Sequence, residues 1–193
     1  MKQRLVELIS LQEVTTAPRV LAGEVDVSAD TVATVFIRMG RTVTSAHSAG
    51  VEYRIELSPD RTGNRWGIYN SPTTGSVGTS VATEVVKGAC AAKQDAVGME
   101  STTGFTVGDV VFIENTTFAS SEFGKVKKVT AGTSVTLEDS LVNAQTGSTV
   151  FDQAEIKTPV IIDVRSAARL RVVVDGSGAG QNFAIDAQVL LAR

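Results

Sequence analysis

The chain has 193 residues, 42% of them hydrophobic, with a formal net charge of -3 and one cysteine. That length fits one large β domain or two small ones, and the apolar share excludes wholesale disorder. The mild acidity and the absence of a Lys/Arg stripe argue against nucleic acid as a partner, because phosphate binding needs clustered cations. A lone cysteine makes no internal disulfide, so folding is compatible with a reducing cytoplasm.

The opening segment, Met1 to Pro18, carries Leu5, Val6, Leu8, Ile9 and Leu11. Glu7 and Ser10 interrupt it, which predicts no cleaved signal peptide. No apolar run in the chain approaches the roughly 20 residues of a membrane helix, so no membrane partner is expected. Leu5, Leu8, Ile9 and Gln12 could share a helix face, and Leu5 to Leu11 reads equally as a strand. These side chains are too apolar to lie free in water. Residues 1–19 are therefore expected to form an arm that reaches a neighbouring subunit. The competing reading is that the arm adds a strand to its own sheet.

Strand patterns follow. Val25 and Val27 alternate with Glu24 and Asp26, and Thr31 to Met39 is rich in good strand formers. Val51, Tyr53, Ile55 and Leu57 alternate with Glu52, Arg54, Glu56 and Ser58, a period of two that sets one face on a core and one in water. Small polar residues at 28–30, 45–50 and 58–64 supply turns. Residues 70–83 are polar and Gly-rich and read as a linker or long surface loop.

A second unit runs from about Thr83 to Asp152. Its centre is Phe105 to Ile113, with a turn at Gly108-Asp109. Gly124 to Val129, Ser134 to Glu138 and Ser148 to Phe151 add short strands at roughly ten-residue spacing, the pattern of a small barrel or sandwich. Lys125, Lys127 and Lys128 form the densest basic group and read as a solvated strand edge that discourages sheet pairing. Ala89 to Ala96 is a weak helix candidate. The outer pattern then returns with Val160 to Val164, Leu170 to Val174, a Gly-rich turn at 176–180, and an alternating strand from Phe183 to Leu191. The first and last segments each hold too few strands for a sandwich, but together they hold enough. The expected fold class is all-β: a discontinuous antiparallel β-sandwich, jelly-roll-like, from residues 20–82 and 157–193, with a small β-barrel of residues 83–156 inserted in a loop.

Several phrases carry a family resemblance: Leu11 to Ala17, Val25-Asp26-Val27-Ser28, Ala33 to Ile37, and Glu56-Leu57-Ser58-Pro59-Asp60 before Trp66. Together they resemble β-sandwich virion proteins of tailed bacteriophages. Phe105 to Ile113 is similar to small barrel modules of phage head and tail proteins. The resemblance covers about half the chain. It implies a non-enzymatic virion protein, assembled in the host bacterial cytoplasm, that coats or joins the particle as a head decoration, minor capsid or tail component. It also implies partners in other copies of itself and in major capsid or tail subunits, and it carries over no catalytic residue.

Candidate chemical sites are sparse. His47 and Cys90 have no second histidine or cysteine to join them, so a metal, a catalytic dyad and a cofactor are not expected. Glu138-Asp139 and the Asp60 to Asn64 loop lack the aromatic platform of a glycosidase and the spaced oxygens of a calcium loop. Gly176 to Gln181 precedes a strand instead of the helix a phosphate loop needs. The interface residues expected are Leu5, Leu8, Ile9, Leu11, Trp66 and Tyr69. Trp66 and Tyr69 could form a subunit contact or a sugar shelf, or Trp66 could close the edge of the core. The alternative function is a carbohydrate- or receptor-binding β module.

Overall fold

The computed structural model describes residues 2–14, 20–41, 52–70, 82–151, 154–156, 159–175 and 183–193. In chain order the outer strands are β1 (Gln3–Val14), β2 (Val20–Asp26), β3 (Val32–Arg41), β4 (Glu52–Ser58) and β5 (Gly67–Asn70). The middle segment supplies β6 (Thr83–Val85), β7 (Ala89–Cys90), β8 (Ala96–Gly98), β9 (Val110–Glu114), a 3-10 turn at Phe118–Ser120, β10 (Glu122–Thr130), β11 (Ser134–Leu137), β12 (Gln145–Thr146) and β13 (Thr149–Phe151). The chain returns through β14 (Glu155–Ile156), β15 (Val160–Asp163), β16 (Arg169–Asp175) and β17 (Phe183–Ala192).

The fold is an all-β sandwich. One sheet runs β1-β17-β3, with β14 and β15 end to end along the far side of β3, and the other runs β2-β16-β4-β5. All pairings are antiparallel. Strands from both ends of the sequence therefore share each sheet. The inward positions are the predicted apolar alternates: Val35 and Ile37, Tyr53 and Ile55, Leu170, Val172 and Val174, and Ile185, Val189 and Leu191 form one core. Asp26 ends β2 by accepting bonds from the Ser28 amide (2.8 Å) and hydroxyl (2.6 Å). These bonds, the side-chain one foremost, hold its carboxyl below the ordinary range.

The opening segment is a strand. β1 pairs with β17, and register shifts between Glu7 and Ile9 and between Ile9 and Gln12 let consecutive Leu8 and Ile9 both pack on the sandwich core. The segment thus follows the reading in which it joins its own sheet, because the antiparallel ladder with β17 satisfies its amides and buries Ile9. β1 also crosses β2 closely. A Cβ at buried Gly23 would lie 1.9 Å from the Leu8 carbonyl oxygen, so only glycine admits this crossing.

The middle segment forms a six-stranded sheet in the order β6-β13-β9-β10-β11-β8 around a separate core of Val97, Met99, Phe105, Val111, Val126 and Val150. Its two ends meet at one bridge, Val86 to Met99, so the sheet curls into an incomplete barrel. Two expectations are corrected here. Ala89 to Ala96 is no helix: it is β7, a turn and the start of β8. Glu155–Ile156, assigned to the barrel, pairs with Met39 and Arg38 of the outer sheet. Lys125, Lys127 and Lys128 are exposed on β10, whose ladder with β9 ends at Lys125, so Lys127 and Lys128 lie where the strand pairs with β11.

The last strand also departs from simple alternation, since both faces of its first half are buried. Phe112, Phe151 and Ala154 cluster with Ala184, and Leu11 and Phe123 pack against them, so the inserted unit sits on the outward face of the β1-β17-β3 sheet. A Cβ at Gly40 would lie 2.6 Å from Phe112 Cβ. Beside this seam Arg38 on β3 pairs with buried Asp186 on β17, its Nε 3.0 Å from both carboxylate oxygens, and reaches across it to lie over the Phe123 ring at 5.1 Å.

Candidate interaction surface

The insert covers only one end of the outward sheet face. At the other end the register gives a row across four strands: Leu5 pairs with Leu190, Leu190 with Thr34, and Thr34 with Ile161. Directly opposed residues point to the same side of a sheet. Their chain neighbours Val6, Val189, Leu191, Ala33, Val35 and Ile162 pack on the sandwich core, so this row faces away from it. Leu5 is 62% exposed and Ile161 70% exposed, with Leu190 and Thr34 half-buried between them. On one side lies the row Gln3, Ala192, Val32 and Asp163; on the other lie Glu7, Gln188 and half-buried Phe36. The result is a largely apolar patch on an open sheet face, with Gln3, Glu7, Gln188 and Asp163 at its margins, the composition of a small contact surface.

The expected interface residues divide. Leu5 alone of the opening four is exposed. Leu8 and Ile9 belong to the sandwich core, and Leu11 lies under the insert. Ile161 is not singled out by the sequence, because Val160-Ile161-Ile162 is an unbroken apolar run with no alternation to mark its outward side chain. Only the pairing with β3 shows which of its side chains turns outward. One end of the row is braced by Asp30, whose carboxylate is almost fully buried and meets Arg4 at 2.8 Å and Arg193 at 3.3 Å, tying together β1, the β2–β3 turn and the C-terminal residue. At the β15 corner Asp163 is paired with the guanidinium and amide of Arg165, which lowers its pKa to about 2.

Trp66 lies on the outer face of the second sheet. Its ring stacks on the Arg171 guanidinium at 4.1 Å, and its indole N–H donates to the Gly63 carbonyl at 2.6 Å. Arg171 and Arg54 both reach Glu56, at 2.6 and 2.8 Å, and Glu56 is buried among them. Trp66 thus caps a charged ladder outside the sheet and does not close the core. Half-exposed Tyr69 sits at the register shift between β4 and β5, next to exposed Ile68.

The other candidates are used structurally. Asp60 accepts bonds from the Thr62 hydroxyl (2.6 Å) and amide (2.8 Å), which lower its pKa and hold the turn. Glu138 pairs with Lys125 at 2.9 Å. Cys90 is buried in the barrel core beside Val97 and Met99. Buried Gln145 is fully engaged by Asn115 (2.9 Å), Ser148 (2.8 Å), Glu122 (2.7 Å) and the Ser120 carbonyl (3.1 Å). Among the described residues no group of three or more His, Cys, Asp or Glu side chains is placed to hold a metal ion. His47 and the Gly176 to Gln181 turn lie outside the described residues.

No family model matches the chain, and no curated protein matches it. Among solved structures it is similar to a CocE/NonD family hydrolase from Staphylococcus aureus (10% identity, TM-score 0.33), covering 98% of this chain and 36% of the hydrolase. It is also similar to a VP2 subviral particle of infectious bursal disease virus (7% identity, TM-score 0.25), covering 100% of this chain and 41% of that one. A third likeness is to VP17, a capsid protein of bacteriophage P23-77 (8% identity, TM-score 0.18), covering 99% of this chain and 96% of VP17. At these scores the likenesses carry no weight of their own, and the fold assignment rests on the strand pairing described above.

Proposed function

We propose that this chain is a non-enzymatic structural protein of a virus particle, of the tailed-phage type, which self-associates and coats or joins the particle surface as a head decoration, minor capsid or tail component. The observation that carries this reading is the open sheet face bearing the Leu5–Leu190–Thr34–Ile161 row. A braced sheet with a largely apolar patch and polar groups at its margins is suited to repeated subunit contact, where many weak copies of one interface add up. The sequence phrases at 11–17, 25–28, 33–37 and 56–66 support the virion assignment. The mechanism is passive: two separately packed cores hold the surface rigid, and binding requires no rearrangement. The test is mass spectrometry of density-purified particles from cells that carry the gene. Stoichiometric recovery of the chain in intact particles supports the reading, and its recovery only in the soluble, particle-free fraction overturns it.

A further inference from the structure

The free half of the outward sheet face has one open end and one end blocked by the insert. We propose that a second copy of this chain docks on it about a twofold axis that runs across the strands, along the Leu5–Leu190–Thr34–Ile161 row. This rests on the self-association proposed above and names its surface and geometry.

Two arguments select the occupant and the axis. The first is steric. Phe112, Phe123 and Phe151 place the insert over Ala184 and Gly40, at one end of the face. A twofold parallel to the strands would bring two inserts to the same end of the interface, where they would collide. A twofold across the strands sends the partner's insert to the open end. The second is complementarity. Rotation about the row sets Leu5 on its own counterpart, and likewise Leu190 and Ile161. It exchanges the flanking rows, so Val32 faces Phe36 and the Gln3 amide can donate to the Glu7 carboxylate. Glu7 and Asp163 are never set against a second acid in this arrangement, so no like charges are opposed. The face is four strands wide and about five residues long, roughly 300 Å² in plan, against the ~800 Å² per partner of a stable complex. The pair is therefore weak alone and gains strength only in an array, which suits a repeated self-contact better than a tight heterologous one.

The experiment uses the full chain with Cys90→Ala, which removes its one thiol, and introduces single cysteines. Leu5→Cys and Ile161→Cys are each treated with a bismaleimide short enough to bridge sheets packed about 10 Å apart. Ile68→Cys, exposed on the second sheet, is the control for random encounter. The two test variants are expected to cross-link to dimers on the order of tenfold faster than the control, because docked thiols are held at a raised effective concentration. Circular dichroism confirms that each variant is folded. Rates equal to the control overturn the proposal. So does cross-linking only when the two variants are mixed, since that would set Leu5 over Ile161 and the axis along the strands. A chain found in particles without this cross-link leaves the virion reading standing and removes the inference. The cross-link in a chain absent from particles does the reverse.

Discussion

Replacing Gly23 with alanine tests whether the β1–β2 crossing is set by backbone contact. The added Cβ would meet the Leu8 carbonyl oxygen at 1.9 Å, its carbon at 2.4 Å and its Cα at 3.0 Å. All three atoms are backbone, so no rotamer change relieves the clash. Ordinary contact requires about 3.5 Å, so one strand must retreat by more than 1 Å. β1 cannot yield freely, because it is bonded along its length to β17. β2 cannot either, because it is bonded from Val20 to Asp26 to β16. Retreat would loosen Ile9, Leu21 and Val25 in the core between them. The cost should fall at the upper end of overpacking effects, about 3 kcal/mol. At roughly 2–4 °C per kcal/mol for a domain of this size, the melting temperature should fall by about 6–12 °C. Thermal unfolding followed by circular dichroism measures it. Gly67→Ala is the control, since its Cβ would only touch the Leu57 carbonyl at 3.9 Å. A Gly23→Ala melt indistinguishable from Gly67→Ala would refute the argument.

Gly40→Leu should lift the insert off the sheet, because its Cβ would lie 2.6 Å from Phe112 Cβ and 3.0 Å from Phe123. A loss of about 2–3 kcal/mol in urea unfolding is expected, with hydrogen exchange accelerated at Ala184 while Val97 and Val135 stay protected. Arg38→Ala should cost about 2 kcal/mol, because it leaves the Asp186 carboxylate buried and unpaired by its guanidinium, the partly exposed arginine making this less than a fully buried pair. The double change Arg38→Met with Asp186→Leu should recover much of that loss, and a double variant as weak as the single would contradict the account. Glu114→Gln should stabilise the fold at pH 7. Burial first, and Glu13 second, raise the Glu114 pKa above its ordinary value of 4.5. A folded carboxyl that holds its proton to higher pH than the unfolded one favours the fold in acid and weighs against it as the pH rises above 4.5. The advantage of Glu114→Gln in thermal melts should therefore shrink as the pH falls towards 4, and an advantage independent of pH would be evidence against this cause.

Much of the sandwich was legible in the residues. The period-two alternation at Glu52 to Ser58 and the β-branched run at Val32 to Ile37 specify which side chains turn inward, because a one-residue slip would expose the whole apolar set. The all-β class and the positions of β9 to β11 follow from the same local preferences. The site was less legible. Leu5, Leu8, Ile9 and Leu11 look alike in sequence, yet they meet four different environments: solvent, the edge of the core, the core itself and the insert. Register shifts in β1 and the cover from Phe112 and Phe118 decide this, and neither is a local property. Trp66 could not be placed because its partner, Arg171, lies 105 positions away in the chain and is brought near by the β16–β4 ladder. Strand identity is set by each residue's own backbone and its nearest neighbours. Which face stays open is set by pairings between distant segments, and Leu5, Leu190, Thr34 and Ile161 become one surface only when four strands from three parts of the chain are laid side by side.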